Sequence, residues 1–223
     1  MNILLAPDGH RRWARENGVS YDESYEIACQ KIVKICQYLS KSATSNQLWL
    51  AISTPFNNER PATEVASILE AALGIRGIAS GRDFAINTTA NGRLDLIPAK
   101  YANLYAQQER MQTPGGFTLH HLVGWAVNTE VTTLAREFQA NPGVPVTHAE
   151  LVARSAVKEH IDLVVRTGTQ ARLSGMVPWH STDAELSFTP TLFPDYAIDD
   201  FAATLKDYSA RDPRNSTWPM ADA

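Results

Sequence analysis

Hydrophobic residues alternate along the chain between short continuous runs and longer stretches with a helical period. The continuous runs predict six strands, at residues 2–6, 47–54, 84–90, 117–125, 161–168 and 185–191. Several are apolar at consecutive positions, which is typical of strands buried on both faces of a parallel sheet. Amphipathic stretches such as 21–41 lie between them. This pattern predicts an α/β fold, with a central parallel sheet of about six strands flanked by helices.

The length and charge narrow the possible functions. The 223 residues fit one domain, which we place at 1–211, followed by a loose tail at 212–223. The net charge of -4 argues against a nucleic-acid surface, so any bound anion must be met by a local group of arginines. We find no signal segment and no apolar run long enough for stable membrane insertion, and we expect a soluble, cytoplasmic protein.

The cysteines and histidines do not have the spacing of a metal site. Cys29 and Cys36 lie in one predicted helix, about 10 Å apart at ~1.5 Å per residue. That separation is too large for a disulfide, so we expect two buried thiols. His120 and His121 are adjacent in a predicted strand, and their rings should point to opposite faces of the sheet.

Candidate chemistry begins where the first strand ends. Ligands of parallel α/β sheets bind beyond the carboxyl ends of the strands. There, Gly9 permits a tight turn into a helix whose N–H groups could bind phosphate, and Arg12 could add a forked contact. Asp8 would repel a phosphate unless Mg²⁺ lay between them. The alternative is that Asp8 caps the helix and the arginines are solvated.

Three further segments carry polar residues that could meet a ligand. Arg166, Arg172 and Ser174 leave the fifth strand and could hold a second diphosphate, or they could belong to an ordinary surface loop. Glu185 is either a second metal ligand or a charge at a strand edge. The amides and hydroxyls of 53–61 could orient a substrate, although such residues commonly build loops.

Together these segments resemble the cis-prenyltransferases, the undecaprenyl diphosphate synthase family. "DGHRRW", "RTGTQARLS" and "ELSFTPTLFPDY" resemble, in order, that family's D-G-N-G-R-W, R-T-S-G-E-Q-R-L-S and E-L-Y-F-T patterns, whereas "STPFNN" stands in place of its S-S-E-N-W with one extra residue. The resemblance extends from Asp8 to about Arg211. It implies a parallel sheet around an apolar substrate tunnel, prenyl diphosphate substrates, Mg²⁺ and a homodimer.

The resemblance also implies roles for individual residues. Asp8 corresponds to the magnesium-binding aspartate, and Glu185 to the glutamate that completes the metal site near the partner subunit. We predict catalytic roles for Asp8, His10, Arg12, Ser53 and Asn57, with His10 or the released diphosphate as the base. We predict substrate contacts for Gly9, Arg11, Trp13, Ser24, Arg60, Arg166, Arg172 and Ser174.

Departures from the family pattern point to a subgroup. His10-Arg11 replaces the family's Asn-Gly, Ser24 stands in place of a histidine, and a Gly-Gly-Arg run is missing after the fourth strand. "LLAPDGHRRWARENGVS" and "FTLHHLVGW" resemble the lavandulyl-type synthases, which join dimethylallyl diphosphate to an allylic diphosphate at a middle carbon. We therefore expect a branched C10 or C15 product. The alternatives are a regular short-chain cis-prenyltransferase that uses isopentenyl diphosphate and a catalytically silent accessory subunit.

Overall fold

The computed structural model describes residues 1–176 and 178–211, and its centre is a single six-stranded parallel sheet. The strand order is β3-β4-β2-β1-β5-β6. The strands are β1 (Ile3–Ala6), β2 (Gln47–Ala51), β3 (Ile86–Gly92), β4 (Phe117–Val123), β5 (Leu163–Arg166) and β6 (Glu185–Phe188). All six predicted strands and their parallel arrangement are confirmed. The predicted loose tail at 212–223 lies outside the described residues.

Helices cover both faces of the sheet. They are α1 (His10–Asn17), α2 (Tyr21–Lys41), α3 (Ala62–Ser80), α4 (Ala99–Arg110), α5 (Val127–Ala140), α6 (His148–Arg154) and α7 (Ile198–Ala210). Alternate strand residues belong to different cores: Leu5 packs with residues of α2, α3 and α7, whereas Leu4 packs with Trp49 and Trp125 on the opposite face. Both sides of β1 are therefore buried, which explains its continuous apolar sequence.

Three smaller expectations also hold. Cys29 and Cys36 are buried free thiols, and burial raises the pKa of Cys29 to about 12. The two adjacent histidines occupy different faces, because His120 stacks on Trp49 whereas His121 contacts Tyr105. Within residues 1–176 and 178–211, no helix has the length and apolar character needed to cross a membrane.

The strand register decides which polar residues share an edge of the sheet. Ala6 is paired with Arg166, so Asp8 and Arg166 lie together at the carboxyl edge. Leu163 is paired with Glu185, which puts Glu185 at the amino edge. There Glu185 forms an ion pair with Arg211, at 2.6 Å. The length of β5 separates the two carboxylates within one chain, so the predicted metal site of Asp8 and Glu185 stays a prediction that requires a second chain.

Candidate active site

A cavity of about 470 Å³ opens at the carboxyl edge of the sheet, and its lining divides into a charged part and an apolar part. The apolar part lies between the sheet, α2 and α3, and includes Ala28, Cys29, Ile32, Leu50, Ala71 and Ile75. The charged part includes five arginines, Arg11, Arg12, Arg15, Arg60 and Arg166, together with Asp8. An anionic head group with an apolar tail would match both parts.

Asp8 is the carboxylate of the charged part, and the fold holds it through its backbone. Its amide donates to Thr167 Oγ1 (2.9 Å), and its carbonyl accepts from the same hydroxyl (3.0 Å). Its side chain lies 3.0 Å from Arg166 Nη2 and 3.5 Å from Arg12 Nη2. The N-cap of α1 is Gly9, and no side chain caps the helix. Asp8 is therefore an ion-pair partner of two arginines, and the alternative of a helix-capping role is wrong.

Arg166 is buried at the end of β5, with only 4% of its surface exposed. Its Nη1 donates to Ser174 Oγ (3.1 Å) and to the carbonyl of Arg172. Its Nε is buried and has no hydrogen-bond partner among the described residues. A buried cationic N–H group without a partner is costly, and an anion entering the cavity could satisfy it.

The start of α1 adds backbone N–H groups to the same region. The first hydrogen bond of the helix runs from Trp13 N to Gly9 O, at 2.9 Å, so the preceding amides have no partner within the helix. Gly9 has φ +117°, and a Cβ atom there would lie 2.8 Å from Leu192. Gly168 has φ +93°, and a Cβ atom there would lie 2.8 Å from Arg12 Nη2. Both glycines therefore permit a close approach of backbone and side chains beside Asp8.

His10 lines the cavity in the first turn of α1. Its Nε2 lies 3.0 Å from the carbonyl of Pro7, which can only accept, so Nε2 carries the proton. Its Nδ1 is buried without a hydrogen-bond partner among the described residues. Burial lowers the pKa of His10 to about 4, from an ordinary value of 6.5 for histidine. At neutral pH the ring is uncharged and Nδ1 keeps its lone pair.

Arg11 and Arg60 form a second cationic group at the cavity. Both contact the carboxylate of Glu64, with Arg60 Nη1 at 2.7 Å and Arg11 Nε at 3.5 Å from Oε1. Asn57 also lines the cavity, where its Oδ1 accepts from the amide and the hydroxyl of Thr54. These contacts hold the short 3-10 helix at Pro55–Glu59 beside the opening.

Two residues predicted to contact substrate make hydrogen bonds within the fold, away from the cavity lining. Ser24 is fully buried, and its hydroxyl donates to the carbonyl of His10 at 3.1 Å. Trp13 donates from Nε1 to Asp195 at 2.7 Å and does not line the cavity. Both side chains hold α1 against neighbouring elements, and their contact with substrate stays a prediction that these positions do not favour.

Ser53 and Arg172 also lie away from the cavity lining. The Ser53 hydroxyl accepts from Gly124 N at 2.9 Å, which joins the ends of β2 and β4. The side chain of Arg172 is exposed, and only its carbonyl contacts Arg166. The Ser53 hydroxyl thus has a structural contact, its catalytic role stays a prediction, and Arg172 contributes its backbone to the site.

The donor set fits Mg²⁺ in one limited way. Among the described residues, no group of three or more His, Cys, Asp or Glu side chains could hold a metal ion. Mg²⁺ commonly binds one or two carboxylates together with substrate phosphates. Asp8 supplies one such carboxylate beside the cavity, so the site fits a magnesium ion that arrives with a diphosphate.

Sequence reasoning missed several residues that shape the site. Thr167, which holds the Asp8 backbone, is fully buried, and Tyr25 lines the cavity with its ring 5.1 Å from that of His10. Phe56 lies at the opening with 66% of its surface exposed. The position of Thr167 inside the "RTG" segment could have indicated its role. The other two carry no comparable signal in a single sequence.

Comparisons with known proteins agree with this architecture. The profile of a family described as putative undecaprenyl diphosphate synthase matches residues 6–216. Isoprenyl transferase 1 of Bradyrhizobium diazoefficiens is 27% identical, over 96% of this chain and 88% of the relative. The short-chain Z-isoprenyl diphosphate synthase of Mycobacterium bovis is 28% identical, over 96% of this chain and 86% of the relative.

Two solved structures share the fold. Lavandulyl diphosphate synthase from Lavandula x intermedia, in complex with dimethylallyl diphosphate, superposes with a TM-score of 0.84 at 21% identity, covering 94% of this chain and 95% of the other. A probable undecaprenyl diphosphate synthase from Campylobacter jejuni gives 0.74 at 19% identity, covering 95% and 96%. The family match over nearly the whole chain, together with the arginine-lined cavity, leads to one conclusion: the chain belongs to the undecaprenyl diphosphate synthase family, the cis-prenyltransferases, which are enzymes that transfer prenyl groups.

Proposed function

We propose that this enzyme is an irregular, lavandulyl-type prenyl diphosphate synthase. It couples dimethylallyl diphosphate with an allylic diphosphate, either geranyl or dimethylallyl diphosphate, at a middle carbon. The product is a branched C15 or C10 diphosphate, isosesquilavandulyl- or lavandulyl-like. The cavity volume of about 470 Å³ is in the lower half of the range of roughly 300–1,000 Å³ for small-molecule sites, which favours short prenyl chains.

One observation carries this proposal. The family's Asn-Gly pair is replaced by His10-Arg11, and both replacements line the cavity directly after Asp8-Gly9. The arginines that suit a diphosphate are retained, whereas the groups beside the reacting ends of the substrates differ. This pattern favours a changed second substrate over a loss of activity. It also argues against a silent subunit, since a buried arginine such as Arg166 is expensive to keep without a function.

In the proposed reaction, the C–O bond of the allylic diphosphate breaks and the diphosphate leaves with the electron pair. Arg12, Arg166 and the first amides of α1 stabilise its developing negative charge. The π electrons of the second molecule form the new C–C bond with the allylic cation. The apolar part of the cavity receives the prenyl tails and keeps water away from the cation. Mg²⁺ held by Asp8 would neutralise further diphosphate charge when bound.

The product cation must then lose a proton from a methyl group. His10 lines the cavity, its buried Nδ1 is an unprotonated nitrogen without a described hydrogen-bond partner, and we propose it as the acceptor. A pKa of about 4 does not prevent this step, because a carbocation is a far stronger acid than an imidazolium ion. The released diphosphate is the alternative base, since it forms in the same cavity.

We also propose that the enzyme acts as a homodimer. Glu185 lies at the opposite edge of the sheet from Asp8, so a second chain would have to supply it to the metal site. β6 is an edge strand, and its Leu186 and Phe188 are 41% and 38% exposed. A second copy packed on this edge would cover these two apolar side chains.

Product analysis tests the proposed function. The enzyme would be incubated with dimethylallyl, geranyl and isopentenyl diphosphates, singly and in pairs, and the products dephosphorylated and identified by mass spectrometry. We expect branched alcohols from dimethylallyl diphosphate alone or with geranyl diphosphate, and little product from isopentenyl diphosphate. A linear cis product that requires isopentenyl diphosphate would support the regular synthase, which is the activity in the names of several relatives. No product from any pair would support the accessory subunit.

A further inference from the structure

Glu64 is a buried carboxylate between two arginines of the cavity. It lies in the first turn of α3, and only 8% of its surface is exposed. Its Oε1 is 2.7 Å from Arg60 Nη1 and 3.5 Å from Arg11 Nε. Arg60 lies four residues earlier, just before α3, whereas Arg11 comes from α1. One oxygen atom thus joins two guanidinium groups from different parts of the chain.

The position of Glu64 in its helix does not explain these contacts. An acidic residue in a first turn interacts favourably with the helix dipole, but an exposed side chain would serve equally well. Arg11 and Arg60 are 45% and 25% exposed, and both line the cavity. Two guanidinium groups repel each other, and without an intervening carboxylate their long side chains would extend into solvent.

We propose that Glu64 is a positioning residue that holds Arg11 and Arg60 together as a clamp for one of the two diphosphates. The inference rests on the proposed function, in which two diphosphates bind at once. The Arg11–Arg60 pair lines the same cavity as the Asp8–Arg12–Arg166 group. Arg11 occupies the position of a glycine in the family pattern, so this two-arginine clamp follows from the sequence of this chain.

The direction in which anion binding changes distinguishes a positioning role of Glu64 from a purely electrostatic one. Removing a negative charge beside an anion site would by itself strengthen anion binding. Releasing the two arginines would weaken it. Glu64→Gln keeps the size of the side chain and removes its charge, and Glu64→Asp keeps the charge but withdraws the carboxylate by one methylene group. The matched control is Glu59→Gln, because Glu59 is an exposed acid five residues earlier.

The experiment measures KM for each diphosphate, kcat, the melting temperature, and the affinity for inorganic pyrophosphate by calorimetry. We expect Glu64→Gln to raise KM for one diphosphate by about 10–100-fold, the range for a lost charged contact, with a change in kcat below about 3-fold. The KM of Glu64→Asp should fall between those of Glu64→Gln and the parent enzyme, and the KM of Glu59→Gln should match that of the parent. In an Arg11→Ala/Arg60→Ala background, Glu64→Gln should have no further effect.

An unchanged or lowered KM in Glu64→Gln would overturn the proposal, as would a further loss in the double-arginine background. A lower melting temperature with unchanged KM would reduce Glu64 to a helix-stabilising role. If Glu64→Gln does not fold, the KM values of Glu64→Asp decide by the same criteria. If no pair of substrates reacts, the proposed function fails, and pyrophosphate affinity still decides whether Glu64 holds the arginines.

Discussion

The two edges of the central sheet are both polar, but they use their polar groups differently. At the amino edge, Gln47 Nε2 donates to Asn2 Oδ1 at 2.8 Å, and Asn2 N donates to Asp162 at 2.6 Å. His120 Nε2 lies 3.1 Å from Gln47 Oε1. At the carboxyl edge, arginines outnumber carboxylates, and Arg166 Nε has no described partner. Groups at the amino edge satisfy one another, whereas the carboxyl edge retains unmatched positive charge.

This difference indicates that the carboxyl edge is the one that binds a ligand. Buried polar groups are nearly always paired, so a buried N–H group that lacks a partner, on an arginine beside an open cavity, marks a binding site more reliably than polarity alone. Substitutions at the carboxyl edge should therefore affect turnover much more than folding. Substitutions at the amino edge should do the opposite.

The largest effect should come from Asp8→Ala. Asp8 pairs with Arg12 and Arg166 on a loop, and its side chain is 36% exposed, so its removal should leave the fold intact. We expect kcat to fall by more than about 10³-fold, or ~4 kcal/mol of transition-state stabilisation. Steady-state rates and circular dichroism would check this result. As the amino-edge control, Asp162→Ala should lower stability by about 1 kcal/mol and leave kcat unchanged. Retained activity in Asp8→Ala would remove Asp8 from the mechanism.

His10→Ala should have the next largest effect. If His10 Nδ1 takes the final proton, kcat should fall by roughly 10²-fold with little change in KM. Since the pKa of His10 is lowered to about 4, the imidazole stays neutral on acidification to that value. The pH profile of kcat for the parent enzyme should therefore show no loss attributable to His10 between pH 8 and 5. A near-normal rate in His10→Ala would instead assign the proton transfer to the released diphosphate.

A smaller difference should separate two arginines of the "RTGTQAR" segment. Arg166 is buried and bonded to Asp8, whereas the side chain of Arg172 is exposed. Arg166→Ala should raise KM for a diphosphate by about 10–100-fold. Arg172→Ala should have a weaker effect in the arrangement described here. If Arg172→Ala instead raises KM by ten-fold or more, mainly for the second substrate, the 169–174 segment must move to contact that substrate.

The smallest effect on turnover should come from His120→Gln. Burial lowers the pKa of His120 to about 4, so the unfolded chain binds its proton first as the pH falls below 6.5. The free energy of unfolding should therefore decline between pH 6.5 and 4, by up to about 3 kcal/mol from this residue. His120→Gln should reduce that decline and leave kcat at pH 7 unchanged. Denaturant titrations at several pH values would measure the free energy of unfolding. The same decline with falling pH in His120→Gln as in the parent would contradict its assignment to His120.

The sequence predicted the fold well because the fold depends on local patterns. Strand runs such as "ILLA" and "LVVR" are apolar throughout, and a parallel sheet is the arrangement that buries both of their faces. The same reasoning identified the carboxyl edge as the site. The sequence analysis treated Asp8 and Arg166 as contacts for different diphosphates. The pairing of β1 with β5 instead brings Arg166 Nη2 to 3.0 Å from the Asp8 carboxylate.

Side-chain direction was the part that the sequence could not supply. Ser24 and Trp13 match positions of the family motifs, yet their polar atoms bond to His10 and Asp195 instead of facing the cavity. Glu64 looks like an ordinary first-turn acid, and its contact with Arg11 depends on how α1 packs beside α3. Such roles depend on packing between secondary-structure elements, and the spacing of residues along the sequence does not indicate them.

The central place of β1 has a consequence for how the enzyme is made. β1 precedes the other five strands of the sheet along the chain, but it is paired with β5 as well as with β2, and the Asp8–Arg166 contact spans 158 residues. The pairing of β1 with β5 can form only after residues 163–166 have left the ribosome, and contacts of such long range form slowly. A nascent chain that ends before Arg166 therefore lacks the Asp8–Arg166 pair, so the charged part of the cavity is assembled only after β5 has been synthesised.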